Sequence, residues 1–166
     1  MIKLLIFQNI LPHYRIDFYN ELSKRYKVYV VHSGVPTDSK KINFKEIEIK
    51  KIKIGPFSFQ KGIFKIVEDL SPDKIISMFD ITHPSPFKLL LFKQYRKIFI
   101  WWGLDKGRSS LALKIKLLFA KINIPIIFYH REIKKRFVEL GVPKNSCFVG
   151  NNTFHVEARK KAYENE

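Results

Sequence analysis

The chain carries five histidines, and each stands where a short apolar run gives way to a polar loop. His13, His32, His83, His130 and His155 all fall at or just beyond the carboxyl ends of segments that read as strands, as do Asn9, Asp80 and Asp105. A whole set of imidazoles and carboxylates on one edge of a sheet marks that edge as the working face. The plainer reading is that loops are polar everywhere. Arg15 offers a different chemistry. A cation at a helix N-terminus is unfavourable by about 0.3–1 kcal/mol, so an arginine beside the free N–H groups there would suit an anion. The alternatives are an arginine in solvent or one paired with Asp17. No two histidines have close metal-ligand spacing, so no metal site is expected. The single cysteine, Cys147, provides neither a disulfide framework nor a metal cluster. GxGxxG and a Walker A lysine loop are both missing, so neither nucleotide fingerprint applies and no cofactor is expected.

The elements that must position these residues alternate between two periods. Leu4–Phe7 is fully apolar, as a strand covered on both faces should be. The polar loop Gln8–Tyr14 follows, and then Phe18, Leu22 and Tyr26 recur at helical spacing, with Tyr19 beside them. The unit repeats along the chain. Val28–His32, Ile75–Met78, Lys97–Trp101, Pro125–Phe128 and Cys147–Val149 read as strands. Phe44–Ile54 reads as a strand that changes face near Lys50–Lys51, ended by Gly55-Pro56, with lysines suited to a guarded edge. Helices are expected over Gly62–Leu70, Pro84–Tyr95, Leu111–Ile122 capped by Ser109 or Ser110, Glu132–Leu140 stopped by Gly141, and His155–Asn165. This alternation predicts a Rossmann-like, doubly wound α/β domain with a mostly parallel sheet and helices on both faces. In such a fold ligands sit at the carboxyl ends of the strands.

Charge is the compositional outlier. Lys+Arg 31 against Asp+Glu 15 gives +16, a surface for nucleic acid, anionic membrane or phosphorylated small molecules. The hydrophobic fraction of 46% argues for a globular chain over a disordered one. No secretory h-region with a cleavage site stands at the N-terminus, and no apolar run approaches the roughly 20 residues that span a bilayer, which makes the cytoplasm the default location. The segment Leu111–Ile122 is apolar around almost its whole circumference, interrupted by Lys114, Lys116 and Lys121. Basic residues mixed with Trp, Phe and Leu fit an interfacial helix on anionic lipid, and core packing with snorkelling lysines is the other reading. Trp101, Trp102 and Tyr95 could stack bases, but no RRM, KH, zinc-finger or helix-turn-helix pattern accompanies them.

Two stretches carry a family resemblance. ILPHYRIDFYNELSKRYKVYVVHSG, residues 10–34, resembles the Pro-x-Tyr-Arg segment, helix and second strand of GT-B glycosyltransferases of the family 4 type. IIFYHREIKKRFVELGVPKNSCFVGNNTF, residues 126–154, resembles that family's strand and Tyr-Ser/Thr-like turn, its helix ending in Leu-x-x-x-Gly-Val, and its strand closing on Asn-Thr. The WWG of residues 101–103 resembles an acceptor-side loop of some members. Two departures stand out: His130 occupies the position often held by Ser or Thr, and Asn9-Ile10 stands where many members have paired glycines.

The resemblance implies the N-terminal, acceptor-binding half of a two-domain enzyme of polysaccharide biosynthesis. Residues 1–153 would form the domain, and 154–166 a polar helix or linker toward a C-terminal nucleotide-sugar domain. That second domain would carry the family's Glu-x₇-Glu motif, so this chain alone is expected to be inactive. Transfer would retain anomeric configuration without a bound metal. Asn9, His13, Tyr14 and Arg15 would lie between acceptor and donor phosphates. Asp80, His83, Trp102, Gly103 and Asp105 would line the acceptor pocket, with Asp105 orienting the acceptor hydroxyl, and Tyr129 and His130 would complete the floor, Asp105 and His130 being the catalytic candidates. Lys114, Lys116 and Lys121 would face the inner surface of the cell membrane, where lipid-linked acceptors reside. The expected partners are a nucleotide-sugar, a glycan or lipid-linked acceptor and an anionic membrane, not nucleic acid. A stand-alone lipid- or glycan-binding module is the alternative of a different class, and a nucleic-acid binder the third.

Overall fold

β1 (Lys3–Phe7) is an interior strand of the sheet in a computed structural model of the chain, which describes residues 1–34, 42–104 and 110–150. Its alternate residues serve two cores. Leu4 and Ile6 pack with Ile16 and Tyr19 of α1 (Ile16–Ser23) and with Val28 and Val30 of β2 (Lys27–His32). Leu5 and Phe7 face the other way, toward Ile63 and Val67 of α2 (Ile63–Leu70), Ala120 of α4 (Ser110–Ala120) and Phe137 of α5 (Arg131–Glu139). Both faces are covered, so the strand carries no polar face at all.

Seven strands make the main sheet, in the order β3-β2-β1-β6-β7-β8-β9, with every pairing parallel. β3 is Lys45–Glu48, β6 Lys74–Met78, β7 Phe99–Leu104, β8 Ile126–Phe128 and β9 Cys147–Val149. Because all seven run the same way, their carboxyl ends share one edge. The order reverses at β1, whose chain continues to β2 on one side while β6 pairs on the other. This is a switch point, and the expected Rossmann-like α/β architecture with helices on both faces is the one observed.

Three local expectations are corrected. The segment 44–54 is not one bulged strand. β3 ends at Glu48, and β4 (Lys51–Ile54) leaves the sheet to pair antiparallel with β5 (Phe57–Gln60) across the turn Gly55–Pro56. The change of face between Ile49 and Ile52 is thus a change of sheet. The helix expected over Pro84–Tyr95 is a 3-10 helix, Ser85–Leu91, followed by a single α-turn, α3 (Lys93–Arg96). Of the predicted Leu111–Ile122, Ser110–Ala120 is helical. The C-terminal helix expected over His155–Asn165 and the cap Ser109 lie outside the described residues.

α5 stops as foreseen. Gly141 takes φ +91, a left-handed conformation that a Cβ would strain, and its N–H closes on the Val138 carbonyl at 2.9 Å. Phe137, one turn earlier, is fully buried against Phe128, whereas Leu118 on α4 is 68% exposed. Phe137→Ala should therefore cost about 3–5 kcal/mol in urea unfolding. Leu118→Ala should stay within roughly 0.5 kcal/mol of wild type. Equal costs would contradict this burial pattern.

Candidate functional site

The loop after β1 enters a 3-10 turn at His13–Arg15 and then α1. This delivers Arg15 to the carboxyl edge of the sheet, where it is buried. Its partners are neutral. Nη2 donates to Tyr129 Oη at 2.7 Å, and Nη1 approaches Met78 Sδ at 3.2 Å. With the Gln8 amide oriented to satisfy its donors, Gln8 Oε1 accepts from Arg15 Nη1 at 2.9 Å and from the Tyr19 hydroxyl. The guanidinium lies 4.4 Å from the Trp102 ring centroid and 5.7 Å from that of Tyr14. No ion pair among the described residues involves it. Burial works against its charge, the phenols of Tyr19, Tyr129 and Tyr14 work the other way and its pKa is raised on balance, and a guanidinium stays cationic in either case. Burial in turn pushes the Tyr19 phenol up, leaving it a neutral donor.

Arg15 borders a cleft of about 240 Å³, shared with Asn9, Tyr14, Gln60, Asp80 and His83. The volume falls below the ~300–1,000 Å³ of typical small-molecule pockets. Asn9 Oδ1 is buried here without a hydrogen-bond partner among the described residues. Such an acceptor costs about 1–3 kcal/mol, a cost that sites tolerate where a ligand brings the donor.

The loop after β6 supplies the far wall. Asp80 Oδ1 accepts from the Thr82 N–H at 2.9 Å and from the Thr82 hydroxyl at 2.7 Å, which folds the turn. Asp80 Oδ2 is thereby left for His83 Nδ1 at 3.0 Å. Burial raises the Asp80 carboxyl, but the hydrogen bonds from His83 and Thr82 prevail and hold it to about 2. A three-residue period then sorts the segment: Asp80, His83 and Pro86 face the cleft, whereas Ile81, Pro84 and Phe87 line an apolar groove of about 370 Å³ with Phe57, Leu111 and Phe119.

The expected residues separate into distinct roles. Asn9, Tyr14, Arg15, Asp80 and His83 meet at the cleft. Tyr129 stands behind Arg15 as its hydrogen-bond partner and does not form part of the cleft lining. Trp102 is not an open stacking platform either: its ring packs on Phe18 at 5.6 Å and on the Arg15 guanidinium, because β7 places it over α1. Gly103 has φ +77, and a Cβ there would come within 2.7 Å of Tyr129 Cζ, so it admits the tyrosine and does not touch the cleft. His13 is exposed and edge-on to Tyr14. His130 is exposed at the N-terminal boundary of α5, with its backbone carbonyl accepting from the Lys134 N–H at 3.2 Å. His32 is fully buried within β2, bound to Glu46 of β3 at 2.7 Å, so it ties the sheet together and leaves the rim. Asp105 and His155 lie outside the described residues. Lys116 is a correction: it is buried on α4 and cannot face a membrane, whereas Lys114 and Lys121 are exposed.

Gln60 was missed. Its Nε2 donates to the Gln8 carbonyl at 2.7 Å and to Ser33 Oγ at 3.1 Å, and its N–H donates to Ser85 Oγ at 2.8 Å. It ties the β4–β5 hairpin to three loops of the rim. The alternation Phe57-Ser58-Phe59-Gln60 after Gly55-Pro56 was the available signal. Among the described residues, no three His, Cys, Asp or Glu side chains gather as metal ligands, and no helix is long and apolar enough to cross a membrane.

No protein-family model and no curated protein matches the sequence. Solved structures match the fold. UDP-N-acetylglucosamine 2-epimerase from Rickettsia bellii superposes with a TM-score of 0.65 and 14% identity, over 99% of this chain and 48% of that one. HepE from Anabaena, in complex with UDP-glucose, superposes with a TM-score of 0.63 and 14% identity, over 95% of this chain and 45% of that one. The chain spans about half the length of each. Its fold is thus of the GT-B type, matched over about half of each of those chains, and the likeness does not single out family 4.

Gly103→Ala should strain the backbone and push Tyr129 off Arg15. The expected loss is more than about 1 kcal/mol, read by chemical denaturation. A variant as stable as wild type would mean that the glycine is not what admits the tyrosine.

Proposed function

We propose that this chain is the acceptor-side domain of a glycosyltransferase that moves a sugar from a nucleotide-sugar to a lipid-linked acceptor at an anionic membrane surface. The observation that carries the reading is Arg15, a buried cation with neutral partners at the edge of the switch-point cleft. A desolvated charge is costly unless something pairs with it. A diphosphate entering from the facing half would provide that partner, and the charge would then steady the leaving group. The complex of the structurally similar HepE with UDP-glucose supports a donor of this class. The family 4 resemblance further implies retention of configuration without a metal.

The lipid-linked acceptor is supported by the two-sided loop. Its polar face meets the cleft, and its apolar face meets a groove large enough for part of a hydrocarbon chain. Leu111, 66% exposed, lines that groove, and the exposed Lys114 follows one turn later. Together with a net charge of +16, this favours an anionic bilayer over water as the neighbour of α4.

Calorimetric titration of UDP-glucose into the complete natural protein tests the donor part. Arg15→Met should weaken binding by about 1.5–3 kcal/mol, roughly 10- to 150-fold in Kd, with Arg15→Lys between. Wild-type affinity in Arg15→Met would refute the anion role. Co-sedimentation with phosphatidylserine vesicles tests the membrane part. Lys114→Glu should reduce the bound fraction several-fold, since each lysine near such a surface contributes about 1 kcal/mol. Indifference of the wild-type protein to these vesicles would remove the membrane from the reading.

A further inference from the structure

We infer that the β4–β5 hairpin is the element of this protein that enters a membrane: its outward face, built of Ile52, Ile54, Phe57 and Phe59, lies below the headgroups of an anionic bilayer, and the lysines around it stay among the phosphates. The inference rests on the membrane part of the reading above and adds to it the element that inserts, which the charge of α4 alone leaves open.

The hairpin is inside out. Its register pairs Ile52 with Phe59 and Ile54 with Phe57, so these four side chains share one face. Lys51 with Gln60 and Lys53 with Ser58 make the other. An antiparallel sheet with one covered face ordinarily turns its apolar side to the core and its polar side to water. Here Ser58 and Gln60 are the buried pair. Gln60 Nε2 donates to the Gln8 carbonyl at 2.7 Å and to Ser33 Oγ at 3.1 Å, and the Ser58 N–H donates to the Thr82 carbonyl at 2.8 Å. Ile52, Ile54 and Phe57 are left outside, 43%, 63% and 43% exposed. Phe59 is half-buried beside Phe57, with ring centroids 6.4 Å apart. The polar face is fastened to the rim, so the hairpin cannot turn over to hide the apolar one without breaking those bonds.

A contiguous apolar face on the outside of a domain marks a contact surface. Charge identifies what covers this one. From Ile49 to Val67 the chain carries Lys50, Lys51, Lys53, Lys61 and Lys65 and no acidic residue. No ion pair among the described residues engages any of the five, and all but Lys51 are exposed. Lysine is depleted where proteins meet proteins, whereas lysines beside a bilayer are drawn to its anionic lipids. Interfacial elements bind in this way: apolar side chains sink about 5–10 Å, and lysine stems carry their charged ends back to the headgroups. The turn that goes deepest, Gly55–Pro56, brings no charge, and its proline has no N–H to leave unpaired.

The position of the hairpin joins this face to the apolar groove. Phe57 lines that groove together with Leu111 and Phe119 of α4, so the hairpin and the start of α4 border one opening. The exposed Leu111 and Lys114 stand on the other side of it. With the hairpin inserted, the opening lies at the bilayer surface, and a hydrocarbon tail passes from lipid into the groove without crossing water.

Co-sedimentation and an environment-sensitive dye test this on the complete natural protein. The vesicles are equimolar phosphatidylserine and phosphatidylcholine, or phosphatidylcholine alone. Ile54→Asp should lower partition into the anionic vesicles roughly tenfold or more, as expected when a side chain of this size no longer leaves water. Ile54→Leu should stay within about twofold of wild type. A nitrobenzoxadiazole label on Ile54→Cys should brighten with anionic vesicles and be quenched by a nitroxide on the acyl chain; it also serves if the aspartate variant does not fold. The same label on Glu21→Cys, on α1 across the sheet from α4, should do neither. Wild-type binding by Ile54→Asp, or a label at position 54 that stays in water while the protein is bound, would overturn the role of the hairpin and leave α4 and Lys114 as the membrane contact. Equal binding to phosphatidylcholine alone would overturn the anionic bilayer as the partner. A dimer seen by sedimentation velocity without lipid, and lost in Ile54→Asp, would overturn the inference in favour of a second copy of the chain. Failure of the wild-type protein to bind either vesicle would remove the membrane from the parent reading as well.

Discussion

Burying a guanidinium without a carboxylate partner is the constraint around which this domain is arranged. Arg15 sits among Gln8, Met78, Tyr129 and the faces of Trp102 and Tyr14, which come from β1's loop, β6, β8's loop, β7 and the 3-10 turn. Each partner offers a lone pair or a π face, and none brings a formal charge. Such a shell holds the side chain in one conformation without neutralising it. The arrangement costs stability, because charge is removed from water for only partial return. It gains a fixed positive field at the rim of the sheet, where an anion in a low-dielectric setting feels it most.

The rim itself follows from parallel pairing. When every strand points the same way, the loops that follow them all open on one edge, and residues far apart in sequence become neighbours. Arg15 and Tyr129 meet at 2.7 Å although 114 positions separate them. The β4–β5 hairpin then crosses over that edge. Gln60 and the Ser58 N–H, which donates to the Thr82 carbonyl at 2.8 Å, stitch it to the loops after β1, β2 and β6. The cleft is thus bounded by a small second sheet as well as by the large one. Gly103 completes the shell from behind: a side chain there would occupy the space of the Tyr129 ring.

The same rim separates polar from apolar chemistry by a periodicity of three. Only the end of this wall is helical: the 3-10 helix Ser85–Leu91 stacks residues at i and i+3, and the turn before it keeps the same alternation. Between Asp80 and Phe87, one face presents carboxylate and imidazole to the cleft and the other presents aliphatic and aromatic carbon to the groove.

Apart from the β4–β5 hairpin and the 3-10 helix, the alternation of strands and helices, the burial of β1 on both faces and the placing of Asn9, Arg15, Asp80 and His83 on one edge were legible in the residues alone. Apolar runs of strand length and stripes at helical spacing are local signals, and parallel topology then places the loops without further information. Local pattern could not distinguish roles within that edge. His32 and His83 look alike in sequence, each following an apolar run. Tertiary pairing gave the first to Glu46 within the sheet and the second to Asp80 at the cleft. Lys114 and Lys116 are two positions apart on one helix, and only packing against the sheet made one exposed and the other buried. Trp102 read as part of the acceptor pocket until β7 laid it over Arg15. Periodicity specifies which way a residue points along its own element. What it points at depends on contacts between distant segments, and those exist only in the folded chain.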